Sequence, residues 1–219
     1  MAWGRIHIST VTAKGMILMS LFNQGEKAYL MLADGQVFEG RSFGAKGTVI
    51  GEVVFTTGLT GYQETLTDPS YYGQIVTQTF PLIGNYGVNS QDSESAKSYV
   101  SGYIVREWCN APSNFRCEGN INDFLTEHNI IGIHNIDTRR LTRIIREVGV
   151  MNGVITTEDV YAKKDELLEK IRAHLKHHPL DDKRVALPGA SIFAHLSVVG
   201  VIWNDIYIYI YISRPQPKE

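Results

Sequence analysis

The pattern of hydrophobic and polar residues predicts a domain of short strands and a few helices over residues 27–156. Its short stretches are rich in Val, Ile, Tyr and Phe or alternate between apolar and polar residues, and Gly, Pro, Asn and Asp separate them. The Asp34-Gly35 pair between the first two stretches is a strong hairpin signal. The predicted strands are 28–32, 36–40, 48–57, 74–80, 98–106, 130–136 and 151–156.

Helical periodicity is clearest after Asp137, which we expect to cap a helix that ends at Gly149. Four apolar residues of this helix repeat at the spacing of one buried face, and four arginines occupy its other faces. The apolar residues are Leu141, Ile144, Ile145 and Val148, and the arginines are Arg139, Arg140, Arg143 and Arg146.

Two further helices are predicted. The stretch 122–128 suits a short helix that begins with an Asn or Asp cap. Residues 158–178 suit a charged helix in which Leu167, Leu168 and Ile171 cover the core and which ends before Pro179. Gly58, Gly61 and Pro69 indicate a loop with one helical turn between the third and fourth strands.

Composition excludes several classes of protein. The chain has 219 residues, of which 43% are hydrophobic and 20% are charged, as in ordinary globular proteins and not in disordered, collagen-like or coiled-coil chains. The net charge of −2 creates no strong field that would attract nucleic acid. Two cysteines cannot build a disulfide scaffold, so we expect a reducing, cytoplasmic setting.

Patterning divides the chain into four segments. They are a poorly defined leader 1–26, the organised domain 27–156, a charged helix and linker 157–186, and an apolar tail 187–219.

The tail differs from the rest of the chain. From Ile206 to Ile212 it alternates Ile and Tyr, a pattern that is apolar on both faces of a strand and typical of aggregation-prone segments. Because repeated TA dinucleotides encode such an alternation, we interpret the tail as aberrant sequence that did not evolve with the domain. A membrane anchor over 192–212 is the alternative, but Asn204 and Asp205 near its middle favour a chain without a membrane span.

Several candidate reactive groups have a simpler structural interpretation. Cys109 has neither of the flanking glycines of a nucleophile elbow and Cys117 has only Gly119, so both are predicted to be structural. His174 and His178 lie one helical turn apart, but no acidic or cysteine residue is spaced to complete a metal site, so we predict none. The glycines over 40–47 do not match a phosphate-binding loop and are predicted to form turns.

Two motifs allow more than one functional interpretation. The segment 57–71 is dense in glycine and polar residues, and Ser70 follows the stiff pair Asp68-Pro69. Its hydroxyl either binds a ligand, for which a neutral donor suits a carboxylate, or belongs to a turn without a ligand. The arginines of the helix after Asp137 either bind phosphate or RNA, or form a salt-bridged surface or a protein interface.

Residues 27–156 closely resemble the N-terminal domain of the small, glutamine-hydrolysing chain of carbamoyl phosphate synthetase. Several long blocks carry the resemblance in the right order. They are Asp34-Gly35 with Phe38-Glu39-Gly40, Gly51-Glu52-Val53-Val54-Phe55, Thr60-Gly61-Tyr62-Gln63-Glu64, Leu66-Thr67-Asp68-Pro69-Ser70-Tyr71, Gly84-Asn85-Tyr86-Gly87, Ser113-Asn114-Phe115, Asp137-Thr138-Arg139 and Arg146-Glu147.

The resemblance implies a β-rich α/β domain of the swivelling β/β/α type, which in the family docks on the large synthetase chain and leans against a class I amidotransferase domain. That second domain releases ammonia from glutamine, and the large chain uses ATP and Mg to make carbamoyl phosphate for pyrimidine and arginine biosynthesis. In this ligase family the serine of the Asp-Pro-Ser block helps to bind glutamine, and here that residue is Ser70.

The chain also departs from the family pattern. After residue 180 too few residues remain for an amidotransferase domain, and none of them is cysteine. We therefore expect no catalytic residue and no bound cofactor or metal in this chain, and no glutamine hydrolysis by the chain alone. The expected partners are the large chain and glutamine, and the alternatives are a non-catalytic interaction module or an inert truncated product.

Overall fold

The structure is a computed structural model that describes residues 25–149, 151–174, 200–203 and 206–209. The chain divides into two compact units, Met1–His177 and His178–Glu219. The described strands of the first unit are β1 (Lys27–Leu32), β2 (Val37–Gly44), β3 (Thr48–Thr56), β4 (Ile75–Gln78), β5 (Leu82–Ile83), β6 (Gly102–Ile104), β7 (Glu107–Trp108), β8 (Ile131–His134) and β9 (Met151–Thr156). Its described helices are α1 (Tyr62–Thr67), a 3-10 turn (Pro69–Tyr71), α2 (Ile121–Glu127), α3 (Thr138–Val148) and α4 (Lys164–His174).

Seven of these strands close into a barrel in the order β1-β2-β8-β6-β4-β3-β9. Strands β3, β4, β6 and β8 run parallel to one another, so the chain must cross back between them, and α1 and α2 lie in these crossovers. β9 pairs antiparallel with both β1 and β3, which closes the sheet and leaves the barrel without an open edge.

The barrel interior is filled by aliphatic side chains from alternate strand positions. They form one cluster with Leu141 and Ile145 of α3, so this helix covers the interior at one end. The strand residues of the cluster include Ala28, Leu30, Leu32, Val53, Ile75, Ile104, Ile131, Ile133 and Ile155. Most of these side chains are fully buried, and their removal from water is the main stabilising contribution to the barrel.

Two smaller clusters attach the other helices to the outside of the barrel. Tyr62 and Leu66 of α1 and Ile121 and Leu125 of α2 pack in one cluster with Tyr103 of β6. Leu167 and Ile171 of α4 pack in the other with Tyr29, Met31, Val154 and Val160.

The sequence-based expectations for this region are confirmed in their main elements. All seven predicted strands are present, although the strand expected over 98–106 is limited to Gly102–Ile104. Gly35 has the positive φ of 85° that the predicted hairpin turn requires. Asp137 caps α3 through its Oδ1 atom, which accepts a hydrogen bond from Arg140 N at 2.9 Å, and Gly149 follows the helix with φ 92°.

Three details of the predicted helices are corrected. Val148 is 66% exposed, because α3 ends there and only the face with Leu141 and Ile145 reaches the barrel interior. Asn120 caps the short helix, its Oδ1 accepting from Asp123 N, so that helix begins at Ile121 and not at 122. The charged helix begins at Lys164 and not at 158, and it is described as far as His174; the predicted end at 178 lies outside the described residues.

In the second unit the structure describes two strands, β10 (Gly200–Trp203) and β11 (Ile206–Tyr209). They pair antiparallel in a hairpin, with Gly200 opposite Tyr209 and Trp203 opposite Ile206. The leader 1–24 and most of the predicted tail lie outside the described residues. Of the helices that the structure describes, none has the length and apolar character that a membrane span needs.

Thr77 of β4 is fully buried, and its hydroxyl has no hydrogen-bond partner among the described residues. A buried hydroxyl without a partner costs about 1–3 kcal/mol, and valine has a similar shape without that group. We therefore expect Thr77→Val to raise the free energy of unfolding by about 1 kcal/mol in urea denaturation.

A matched control comes from Thr156, which is equally buried but whose hydroxyl hydrogen-bonds Thr48 at 2.7 Å and accepts from Glu158 N. Thr156→Val should lower the free energy of unfolding by about 1 kcal/mol, because it leaves these groups without their partner. An equal loss of unfolding free energy in Thr77→Val and Thr156→Val would contradict the conclusion that the Thr77 hydroxyl has no hydrogen-bond partner.

Candidate functional site

Ser70 lies in the 3-10 turn between α1 and β4, with its backbone fixed and its side chain exposed. Asp68 Oδ1 accepts a hydrogen bond from Ser70 N at 2.8 Å, and Pro69 restricts the preceding backbone. Within the described part of the chain, no group hydrogen-bonds the Ser70 hydroxyl. The turn therefore presents a fixed, neutral hydroxyl to the surface, where it can donate to a ligand.

The turn is anchored on its other side by two neighbouring residues. Tyr71 packs against the cluster around α1 and α2, and burial raises the pKa of its hydroxyl, an effect that nearby Asp68 increases. Gln74 Nε2 donates to Glu52 Oε2 at 2.7 Å, which connects the end of the turn to β3. These contacts attach the segment that follows Ser70 to the helix cluster and to a strand of the barrel.

Tyr86 fixes the start of α1. Its ring stacks on Tyr62 with a centroid separation of 4.2 Å, and its hydroxyl accepts from Gly61 N at 2.8 Å and Tyr62 N at 3.3 Å. These are two of the backbone N–H groups that a helix start leaves without an intrahelical partner. The Tyr62 hydroxyl donates in turn to Gly87 O. The loop at 84–87 therefore acts as the cap of α1.

The side chain of Gln63 forms a second buried connection between α1 and the loop that follows β5. It is 2% exposed, and its Oε1 accepts from Asn89 N at 2.9 Å while its Nε2 donates to Asn89 O and to Ser93 Oγ. Both polar atoms of this amide thus have partners, as a buried amide requires. These hydrogen bonds hold the loop against α1.

The end of α1 is held in the same way. The Thr67 hydroxyl donates to Gln63 O at 2.9 Å and accepts from Glu94 N at 2.9 Å. Ser95 and Ser98 donate their hydroxyls to the carbonyl oxygens of Thr67 and Leu66. The hydroxyls around Ser70 are therefore engaged within the protein, in contrast to that of Ser70 itself.

A further loop, 113–119, supports the loop that caps α1. Glu118 accepts from the backbone N and the hydroxyl of Ser90 at 2.9 and 3.0 Å, and Arg116 forms an ion pair with Asp92. The pKa of the Asp92 carboxyl is lowered first by its hydrogen bond from Asn89 and then by Arg116. The polar contacts thus continue from 113–119 through 89–92 to α1.

Both cysteines lie in this supporting region, half-buried and without a disulfide. Cys109 Sγ donates to Ala111 O at 3.4 Å, and Cys117 Sγ donates to Gly119 O at 3.3 Å, so each thiol contacts the backbone of its own loop. Of the two histidines considered for a metal site, His174 is half-buried and His178 lies outside the described residues. In the described ranges, no three His, Cys, Asp or Glu side chains converge.

The polar segment 57–71 therefore has two roles, to hold the neighbouring loop and to expose the Ser70 hydroxyl, and its composition alone does not show which residue has which role. Gln63 and Thr67 point inward and hold the neighbouring loop, whereas Ser70 remains at the surface. Sequence reasoning did not identify Tyr86 as the cap of α1. Its position in Gly84-Asn85-Tyr86-Gly87 was noted, but nothing in the local pattern shows that it pairs with a helix more than 20 residues earlier.

Comparison with known proteins identifies the class of chain to which this fold and segment belong. Residues 30–155 match the family model described as the carbamoyl-phosphate synthase small chain, CPSase domain. The chain is 57% identical over 146 residues to the carbamoyl phosphate synthase small chain of Thermosynechococcus vestitus, covering 67% of this chain and 38% of that one. It is 52% identical over 147 residues to the small chain of Clostridium perfringens, covering 67% and 42% respectively.

The protein belongs to the carbamoyl-phosphate synthase small-chain family and corresponds to the N-terminal part of that chain. It spans about two fifths of the length of these relatives. Among solved structures, an aminopeptidase from Aneurinibacillus sp. strain AM-1 matches 62% of this chain and 31% of its own at 16% identity. Its TM-score of 0.38 is too low to bear on fold or function.

The Tyr62 hydroxyl provides a test of how firmly α1 is anchored. Burial, followed by the proximity of Tyr86, raises the pKa of Tyr62 above its ordinary value of about 10. The folded state therefore keeps a proton that the unfolded state loses above pH 10, and stability is lost as the pH rises past that value. The free energy of unfolding of the parent chain should fall between pH 9 and pH 11. In Tyr62→Phe, which has no hydroxyl to ionise, we expect this fall to be smaller by about 1 kcal/mol.

The measurement is urea denaturation of both chains at the two pH values. At pH 7 the variant should be less stable by about 1 kcal/mol, because Gly87 O loses its donor. Parallel pH profiles for variant and parent would contradict the proposed burial of this hydroxyl.

Proposed function

We propose that this chain acts as the N-terminal domain of the glutamine-hydrolysing small chain of carbamoyl phosphate synthetase, and that Ser70 contributes to glutamine binding. The domain is of the swivelling β/β/α type and docks on the large synthetase chain. It works in the cytoplasm in a ligase that serves pyrimidine and arginine biosynthesis, in which the large chain uses ATP and Mg. The family match over residues 30–155 is the observation that carries this proposal.

The geometry of the 3-10 turn supports the role of Ser70. The Asp68 carboxylate and Pro69 fix the backbone, and the Ser70 hydroxyl is exposed without a partner among the described residues. The hydroxyls of Thr67, Ser95 and Ser98, in contrast, donate to backbone carbonyls of the protein. Binding a ligand on a fixed group costs less conformational entropy than ordering a mobile one. The turn thus provides a donor that is already in place.

The chemistry of the hydroxyl suits glutamine. The ligand carries an α-carboxylate and a side-chain amide, and a neutral hydroxyl donates to either oxygen without burying a counter-charge. No basic side chain among the described residues hydrogen-bonds this hydroxyl, and Asp68 already accepts a hydrogen bond from Ser70 N. Ser70 therefore binds and orients glutamine and does not act as a nucleophile.

We expect Ser70→Ala to raise the KM for glutamine about fivefold, which corresponds to the loss of one neutral hydrogen bond of about 1 kcal/mol. The measurement uses a chimaeric small chain in which residues 30–155 of this protein replace the matching part of the Thermosynechococcus vestitus chain. Carbamoyl phosphate synthesis from ammonia should be unchanged, because that reaction does not need glutamine.

Two variants control this measurement. Ser70→Thr keeps a hydroxyl at the position and should restore part of the affinity. Ser113→Ala removes another exposed serine hydroxyl and should leave the KM unaltered. An unchanged KM in Ser70→Ala would remove Ser70 from the glutamine site, and equal effects at Ser113 would point to a general perturbation.

The 219-residue chain alone should not hydrolyse glutamine. Its two thiols donate to backbone carbonyls of their own loops, and neither hydrogen-bonds an activating base within the described residues. We expect ammonia release from glutamine to stay at the level of a Cys109→Ser/Cys117→Ser control. Thiol-dependent ammonia release well above that control would overturn this part of the proposal.

A further inference from the structure

The last turn of α1 lacks the groups that usually cap the end of a helix. Asp68 follows the final helical residue, Thr67, with an extended backbone, and the last turn contains no basic side chain. The last carbonyl groups of a helix have no partner within the helix, and a left-handed glycine or a basic side chain commonly supplies one. The carbonyl groups at this end of α1 therefore depend on donors from elsewhere in the chain.

Ser95 and Ser98 supply these donors. The Ser95 hydroxyl donates to Thr67 O, and the Ser98 hydroxyl donates to Leu66 O. The two serines lie 28 and 32 residues beyond the carbonyl groups that they bind, so these caps join separate parts of the chain. Because α1 has only six residues, too few for a helix that is stable alone, its end depends on such contacts.

The same segment also binds the far side of the turn that carries Ser70. Tyr99 O accepts a hydrogen bond from Gly73 N at 3.0 Å. Thr67 lies three residues before Ser70, and Gly73 lies three residues after it. Residues 95–99, here called the clamp, therefore hold the chain on both sides of this serine.

A turn that is held on both sides restricts the movement of the residue between them. The Ser70 hydroxyl is exposed, and none of the described residues hydrogen-bonds it, so the backbone determines where it lies. Asp68 sets the local shape of the turn through its hydrogen bond from Ser70 N, whereas the clamp sets the position of the turn beside α1 and β4. A donor that is ordered in advance loses less conformational entropy when it binds a ligand.

We propose that Ser95 and Ser98 are positioning residues for glutamine, which act through Ser70 by holding its turn in place. The inference rests on the proposed role of Ser70. Neither serine has to contact glutamine, because both hydroxyls already donate to carbonyl groups of α1. Loss of the two caps frees the turn, so that glutamine must order it on binding. This weakens the binding of glutamine and leaves the reaction of bound glutamine unchanged.

The test measures glutamine kinetics of Ser95→Ala/Ser98→Ala in the same chimaeric small chain, assembled with its large chain. We expect the KM for glutamine to rise about threefold and kcat to change less than about twofold. Carbamoyl phosphate synthesis from ammonia should match that of the parent, which shows that the variant is folded and assembled. Ser95→Thr/Ser98→Thr keeps both hydroxyls and should restore most of the affinity.

A second comparison separates the positioning of Ser70 from a general loss of stability. A chain that already carries Ser70→Ala has no hydroxyl to position. Adding Ser95→Ala/Ser98→Ala to it should therefore change the KM less than about 1.5-fold. A general perturbation raises the KM by the same factor with and without the Ser70 hydroxyl, and that result would overturn the inference.

Thr126→Ala/Thr142→Ala is the matched control. These two hydroxyls also donate to carbonyl groups of helices, but their acceptors are Asn122 O of α2 at 2.8 Å and Thr138 O of α3 at 2.7 Å. We expect the KM for glutamine to be unaltered in this variant. A rise equal to that of Ser95→Ala/Ser98→Ala would show that the clamp has no special connection to the glutamine site.

Hydrogen exchange of the full 219-residue chain reports on the clamp without glutamine. The Gly73 amide, which donates to Tyr99 O, should exchange several times faster in Ser95→Ala/Ser98→Ala, while the amides of β1 and β9 keep their protection. An unchanged exchange rate at Gly73 would contradict the proposed hold on the turn.

The KM values distinguish failure of this inference from failure of the proposed function. An unchanged KM in Ser95→Ala/Ser98→Ala beside a raised KM in Ser70→Ala overturns the positioning role alone. An unchanged KM in Ser70→Ala removes Ser70 from the glutamine site, and the positioning role fails with it.

Discussion

Strand β9 closes the barrel, and the helices and loops of the domain are built on that closed sheet. This strand pairs with β1 on one side and with β3 on the other, so the first and last strands of the barrel meet, with Tyr29 opposite Thr156 and Leu32 opposite Gly153. Every crossover helix is then attached to a sheet that has no free edge. The frame fixes where β4 and β9 begin, and the Ser70 turn leads into β4 while α3 leads into β9.

The barrel alone does not determine where α1 and the Ser70 turn lie. Their position is set by a buried polar network in which Tyr86 caps α1 and Gln63 binds the backbone of Asn89. A buried amide with both of its atoms satisfied has few alternative positions, because any shift leaves a polar group without a partner. The network therefore supplies rigidity to the turn, while the aliphatic clusters supply most of the stability.

The sequence was sufficient to predict the strands and the clearest helix, since local patterns determine them. Alternating residues predict β2, and Asp137 and Gly149 mark the limits of α3. The order of strands in the barrel was not predictable in this way, because the pairing of β9 with β1 joins residues more than 100 positions apart. Val148 shows the limit of periodicity: its spacing fits the buried face, but α3 ends before the barrel can cover it.

The candidate site was predictable only in part, for a related reason. Ser70, Gln63 and Thr67 have similar side-chain chemistry in one polar segment, and only the fold decides which of them has a partner inside the protein. Gln63 is satisfied by a loop that lies about 25 residues further along the chain, whereas Ser70 is not. The same is true of the arginines of α3. Arg140 contacts Phe38 and Gln36 about 100 residues earlier in the chain, whereas Arg139 and Arg143 have no ion-pair partner among the described residues. Side-chain chemistry therefore names the candidates, and the fold decides which of them stay exposed without a partner among the described residues, as Ser70 does.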